Sequence, residues 1–224
     1  MPIFATLAKF FGLAFSALLP VINPVGSALI FLGFVGDAPA YVYKQLALKI
    51  AVSTTIFLLI VQLVGTALLA FFGISLPVVQ VAGGLVLAAM GWTLLNQRDA
   101  PAANAQKDVT PDAYGDLEQK IFYPLTFPIT AGPGCIVITL TLSAHASVRG
   151  IVNDVSGHVG IILAIIALSI SVYLCYAYAP RLTERIRPQT AHGILRVIAF
   201  VLLCIGVQIT WNGTEALIKT VMKS

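Results

Sequence analysis

The chain has 224 residues, of which 58% are hydrophobic and 10% charged, and its formal net charge is +4. A water-soluble domain carries about 25% charged residues, so thirteen Lys/Arg and nine Asp/Glu cannot give a fold of this size a surface that water accepts. A soluble globule is excluded. A nucleic-acid-binding face is excluded too, because nine of the thirteen basic residues fall in three intervals between apolar runs, a distribution that suits orientation in a bilayer.

Six apolar segments follow in order: roughly 10–36, 46–72, 78–95, 121–147, 158–178 and 194–212. Each falls in or above the range of about 17–25 residues that spans a hydrocarbon core at 1.5 Å rise. Their lack of strict alternation argues for helices over barrel strands. The first segment is too long for the apolar region of a secretory signal and has no convincing cleavage site around Pro20, so it reads as mature structure. It carries Pro20, Asn23, Pro24 and Gly26. The second carries Thr54, Thr55 and Gln62. The third shows a small-residue stripe, Gly84, Ala88 and Gly91, expected to let another helix approach closely.

Residues 96–120 form the one long hydrophilic stretch and read as a solvated connector with little to build a core. The fourth segment contains Thr126, Pro128, Thr130, Gly132, Pro133, Gly134, Thr139 and Thr141. The fifth ends at Pro180. The sixth carries Arg196, Ala199, Gly206, Gln208, Thr210 and Asn212. Trp92 and Trp211 fall near span ends, as interface anchors do. Cys135, Cys175 and Cys204 lie in apolar runs and are expected to be small buried hydrophobes. His145, His158 and His192 are expected in separate loops, so no metal site, no cofactor and no catalytic group is expected. The membrane-embedded chain is not read as an enzyme.

The two halves resemble each other. Setting Pro24 over Pro133 aligns LPVINPVGSALIF with FPITAGPGCIVIT, and GLVLAAMG at Gly84–Gly91 lies over AFVLLCIG at Ala199–Gly206. The expected architecture is an all-α polytopic membrane protein of six helices, in two three-helix repeats over residues 1–95 and 121–224 joined by 96–120. An odd number of spans per repeat turns the second copy upside down, the plan of many secondary transporters. Spans 1 and 4 are expected to break near mid-membrane. Their prolines remove N–H groups and clash with carbonyls four residues back, and an unpaired backbone group in hydrocarbon costs several kcal/mol. Asn23 is expected to cap a half-helix that starts at Pro24. Two such half-helix N-termini would cradle an anionic group. Basic residues number nine on one side and four on the other, which puts the connector in the cytoplasm and both termini outside.

INPVG at 22–26, YPLTFPITAGPG at 123–134 and RVIAFVLLCIGVQITWNG at 196–213 resemble the MarC family of bacterial inner-membrane proteins, over essentially the whole chain. The resemblance implies the two-copy layout and a role linked to multiple antibiotic resistance or neutral amino acid transport, without fixing a substrate. By position it marks Asn23, Pro24, Gly26, Pro128, Gly132, Pro133, Gly134, Arg196, Gln208, Asn212 and Gly213. The family pattern has a further proline where this chain reads Ser27-Ala28-Leu29, so the first motif is the less typical. Thr130 and Gln62 join the pathway candidates by their own positions. The expected partners are membrane lipid, a small solute with a coupling ion, and further copies of the chain. The competing expectation is a membrane scaffold or partner-binding subunit that transports nothing.

Overall fold

A computed structural model describes residues 3–36, 38–96, 117–146, 151–181 and 188–222, with backbone alone for 151–153, 188–192 and 194. The described residues are helical apart from short joints. The helices are α1 (Ile3–Ile22), α2 (Pro24–Val35), α3 (Ala40–Phe71), α4 (Leu76–Asn96), α5 (Ile121–Thr130), α6 (Pro133–Ala146), α7 (Ile151–Ala177) and α8 (Pro188–Val221). Five apolar runs are long enough to cross a membrane, α1 and α2 together forming one of 33 residues; α5 with α6, bent by 68°, makes the sixth. The protein is thus an all-α polytopic membrane protein. In lipid, helices are the form in which such a chain satisfies its own backbone.

The helices overrun the apolar segments on which they are built. α3 starts six residues before its apolar run and α7 seven residues before its own, taking in Asp154; His158 lies inside α7 and not in a loop. His145 likewise lies in the last turn of α6 and not in a loop, and His192 falls among the residues described by backbone alone. The turn between α3 and α4 shows why a glycine stands there. Gly73 takes φ 68°, its N–H reaches Ala70 O at 3.1 Å, and Ile74 N–H reaches Leu69 O at 2.9 Å. These two bonds satisfy carbonyls that the end of the helix leaves open, in a conformation that side chains disfavour. Most of the connector lies outside the described residues. Its end does not float free: Leu117 is buried and Glu118 pairs with Lys49 of α3.

α7 is the hub, packed by α1, α2, α3 and α6, while α4 and α8 form a closely fitted pair beside it, joined to the rest through α6 and α1. α1 buries Thr6, Phe10, Ala14, Leu18 and Ile22, one residue per turn. The facing turns of α7 are small. A Cβ on Gly160 would come within 2.5 Å of Leu7 O, and one on Gly157 within 3.2 Å of the Phe10 ring. Between α4 and α8 the approach is closer still. A Cβ on Gly206 would lie 2.4 Å from Ala88 N and 2.7 Å from Gly84 O, and one on Gly91 would lie 2.6 Å from Leu203 N. The small-residue stripe therefore does what its spacing suggested, and dispersion between close backbones holds the pair where lipid gives no hydrophobic drive. Cys135 is buried, but Cys175 is half-buried and Cys204 is exposed, so burial does not account for all three cysteines.

Replacing Gly206 by leucine pushes side-chain carbons into the α4 backbone. The expected result is a loss of roughly 1–3 kcal/mol, the range for overpacking, seen as a lower unfolding temperature in detergent. Gly33→Leu, at a position with open space around the Cβ, should leave that temperature where it is.

Candidate functional site

The first interruption is a single residue. Pro20 stays inside α1 and the helix continues to Ile22, so the break is narrower than two prolines suggest. Asn23 takes φ 44°, ψ 66°, the left-handed conformation that asparagine tolerates better than most residues. Its N–H still reaches Leu19 O and its carbonyl still accepts from Ser27 N, both at 2.9 Å. Its side-chain Oδ1 accepts from Gly26 N at 3.1 Å, and Pro24, which needs no donor, begins α2. Gly26 is required by space: a Cβ there would lie 2.2 Å from Asn23 Nδ2. The donor expected to stay free for a ligand is thus used by the chain itself.

The second interruption is wider. α5 is wound wider than an α-helix and kinked within: Leu125 N–H reaches Lys120 O at 3.2 Å and, past its end, Ala131 N–H reaches Thr126 O at 2.8 Å. Its sequence is a tandem of aromatic, proline, any residue, threonine: YPLT then FPIT. Tyr123 and Phe127 are extended, φ −121° and ψ 121° or 125°, as residues before proline prefer. Each threonine donates its hydroxyl to the carbonyl five residues back, Thr126 to Ile121 O at 2.8 Å and Thr130 to Leu125 O at 2.6 Å. Ala131 and Gly132 leave the helix, and Pro133 starts α6. The half-helix expected at Pro133 is present. Its first turn is covered: a Cβ on Gly134 would lie 2.1 Å from Leu87 Cδ2 and 3.0 Å from Val21 Cγ1.

Tyr176 of α7 joins the two breaks. Its hydroxyl lies 2.7 Å from Thr130 Oγ1 at the second break, and its ring lies against α2, the helix that begins at the first. Because Thr130's one proton goes to Leu125 O, Tyr176 is the donor to Thr130. The ring stacks on Phe31 of α2 at 4.6 Å between centroids, which fixes where the hydroxyl points. Thr130, Tyr176 and Ser27 are all buried.

Of the sequence candidates, Asn23, Pro24 and Gly26 meet Thr130, Gly132, Pro133 and Gly134 through Tyr176, Val21 and Leu87. Pro128 is on α5 but exposed. Gln62 lies in the packing of α3 against α6 and α7: its Nε2 donates to His158 O at 3.0 Å, and its main-chain carbonyl accepts from Ser143 at 2.8 Å. Gln208 and Asn212 pair with each other at 2.8 Å on the exposed face of α8, where Arg196 is exposed too. Neither is brought to the breaks. The residues sequence reasoning missed are Tyr176 and Ser27; Thr126 stood among the polar residues of the fourth segment without a role. The repeated threonine two residues after each proline was the available signal for Thr126; Tyr176 had none.

Residues 8–218 match the family described as MarC family integral membrane protein. The chain belongs to the MarC family. Relatives include the inner membrane protein MarC of Citrobacter koseri, 29% identical over 96% of this chain and 98% of that protein. The MarC protein of Salmonella typhimurium is 27% identical over the same shares of each chain. A UPF0056 membrane protein of Pyrococcus horikoshii is 28% identical over 92% of this chain and 95% of its own length. No solved structure matches the chain.

Tyr176→Phe removes the hydroxyl bonded to Thr130, and leaves Thr130 buried with one partner fewer. A loss of roughly 1–3 kcal/mol is expected, measured by thermal unfolding in detergent. Tyr178→Phe, two residues on and exposed, serves as the control and should cost far less. Asn23→Ala should cost about 1 kcal/mol for the lost cap plus the strain of a left-handed alanine. Asn23→Gly, which loses the cap but not the conformation, should fall between it and the unmutated protein.

Proposed function

We propose that this MarC family member is a secondary transporter or exporter of a small neutral or zwitterionic solute, such as an amino acid, across an inner membrane. The observation that carries this reading is the pair of half-helix starts, Pro24 and Pro133, in two different spans and linked through one buried tyrosine. Interrupted helices persist inside a bilayer where protein or a polar cavity satisfies them, and transporters put their solute at such places.

The inverted-repeat reading is supported by which helices pack together. With α1–α2, α3 and α4 as spans 1–3 and α5–α6, α7 and α8 as spans 4–6, span 1 packs on span 5 as span 2 packs on span 4. Span 1 packs on span 6 as span 3 packs on span 4. The remaining contacts between halves are 1 with 4, 2 with 5 and 3 with 6, each its own counterpart under exchange of the halves. On this reading residues 1–95 and 121–224 are the two copies, the connector 96–120 is cytoplasmic and both termini lie outside, by the nine-to-four bias in basic residues. Solute would enter as the breaks separate: the contact of Leu87 and Val21 with Gly134 opens, and the Tyr176 bond to Thr130 exchanges for a bond to a polar end of the solute. The absence of any Asp or Glu from the six apolar segments favours a solute without net charge.

One observation favours a partner-binding subunit instead, namely the exposed Gln208–Asn212 pair on α8. Carboxamides on an outer helix face can bond a neighbouring helix, whether a second copy or another protein. A stoichiometric partner that co-purifies while no solute binds would favour that reading.

Counterflow of radiolabelled neutral amino acids into proteoliposomes tests the transport proposal. The purified protein should exchange at least one of them, and Pro24→Ala and Gly134→Leu should each abolish exchange. Exchange that persists unchanged in both variants would remove the interrupted helices from the mechanism.

A further inference from the structure

Away from the two breaks, the contact between α3, α6 and α7 holds an imidazole inside a membrane span. His158 lies one turn into the apolar run of α7 that starts at Asp154. Ionisable side chains at such depth are rare and mark ion or proton sites more often than packing. Its neighbour on α3 is Gln62, 1% exposed. Gln62 Nε2 donates to His158 O at 3.0 Å and faces His158 Nδ1 at 3.4 Å, while Ser143 of α6 donates to the main-chain carbonyl of Gln62 at 2.8 Å. The side chain ties α3 to α7, and the main chain beside it is tied to α6.

The glutamine is only half satisfied. Gln62 Oε1 is buried and has no hydrogen-bond partner among the described residues, an acceptor facing no donor. Leaving it so costs free energy. It becomes useful in one circumstance. With Nδ1 unprotonated, the ring accepts from the amide Nε2. With Nδ1 protonated, two donors face each other, and the contact is restored only if the carboxamide turns to present Oε1. That turn removes the bond to His158 O, so the two protonation states hold α3 and α7 in different ways.

Three more buried hydroxyls without partners lie on the same three helices: Thr54 on α3, Thr139 on α6 and Ser169 on α7. Thr54 is eight residues from Gln62, about 12 Å along the helix, and Ser169 is eleven residues from His158, about 16 Å in the same direction.

We propose that His158, held by Gln62, is a proton-binding site that switches the α3–α6–α7 junction, and that protons are the coupling ion of the transport proposed above. The inference rests on that transport reading for the coupling alone; the switch stands by itself. Other titratable groups on the packed helices are Asp154 one turn earlier on α7, His145 on α6 and Lys9 on α1. The α3 side contributes Gln62 and no charge near this level, since Lys44 and Lys49 lie toward the other end. The sign follows from the donor count: the contact present at high pH is lost as pH falls through the titration of the ring.

The chain has three histidines, so ring-15N histidine NMR of the purified protein resolves the question, with H158Q assigning the signal. The ring-15N signals of His158 should change with pH, and Q62M should move the pH at which they change. Nitroxides at Leu63 and Val159, exposed on α3 and α7 beside the pair, should show a change in dipolar coupling at that same pH, lost in H158Q. A ring that holds one protonation state throughout, a midpoint that Q62M does not move, or a coupling that ignores pH would each overturn the switch. Failure of the unmutated protein to exchange any amino acid would sink the transport reading and leave the NMR result to judge the switch.

Discussion

A polypeptide in hydrocarbon has no water to fall back on, and every backbone N–H and C=O it frees must be met from within the chain. That constraint explains why this sequence can carry prolines in mid-span. At Asn23 the repair is made by one carboxamide, which takes over the Gly26 N–H while the main-chain ladder steps past on either side. In α5 the repair is distributed. The chain widens to bonds five residues back, and two threonine hydroxyls supply donors to carbonyls beside the positions where proline has none. The same requirement has two solutions. The economical one keeps α1 and α2 in one span, and the other turns the chain by 68°.

The difference between the two breaks bears on how the protein could move. A single left-handed asparagine between two well-bonded helices is a rigid joint, because the cap, the proline and the close glycine fix one geometry. The kinked segment followed by Ala131 and Gly132 is looser in kind: hydroxyl bonds can exchange, and its winding is interrupted at the extended Tyr123 and Phe127. Tyr176 connects the rigid joint to the loose one. Bonded to Thr130 and stacked on Phe31, it passes a shift of α5 to α2. A two-state element needs one side that holds and one that gives, and these two breaks supply them.

Much of this was legible in the sequence, because lipid imposes simple rules. Apolar length gave the spans, and Asn23-Pro24 with a glycine two residues on reads directly as a capped half-helix. The stripe of Gly84, Ala88 and Gly91 marked the α8 contact, because small size has one use between helices in lipid. The wide, kinked winding of α5 was not legible by propensity, since it depends on side-chain donors replacing missing amides. Tyr176 was hidden for another reason: a tyrosine near the end of an apolar run reads as an interface residue, and nothing local says that it turns inward to Thr130. The outward placement of Gln208 follows from geometry that the sequence did contain. Ala199, Gly206 and Gly213, seven residues apart, define the face of α8 toward α4. A residue two positions beyond Gly206 lies about 200° around the helix, on the far side.

The same angular reasoning separates two kinds of polar residue in these spans. Gln208 and Asn212 satisfy each other on an outer face, and they tell of what surrounds the protein. Gln62 and His158 satisfy each other incompletely in an inner contact, and an incomplete bond inside a dry bundle is expensive enough to need a reason. A glutamine that merely locked α3 to α7 could be replaced by a well-packed apolar residue with no unpaired oxygen. A titrating neighbour supplies the missing reason, because the acceptor that is idle in one protonation state is the one required in the other. The interior then needs no carboxylate to respond to protons.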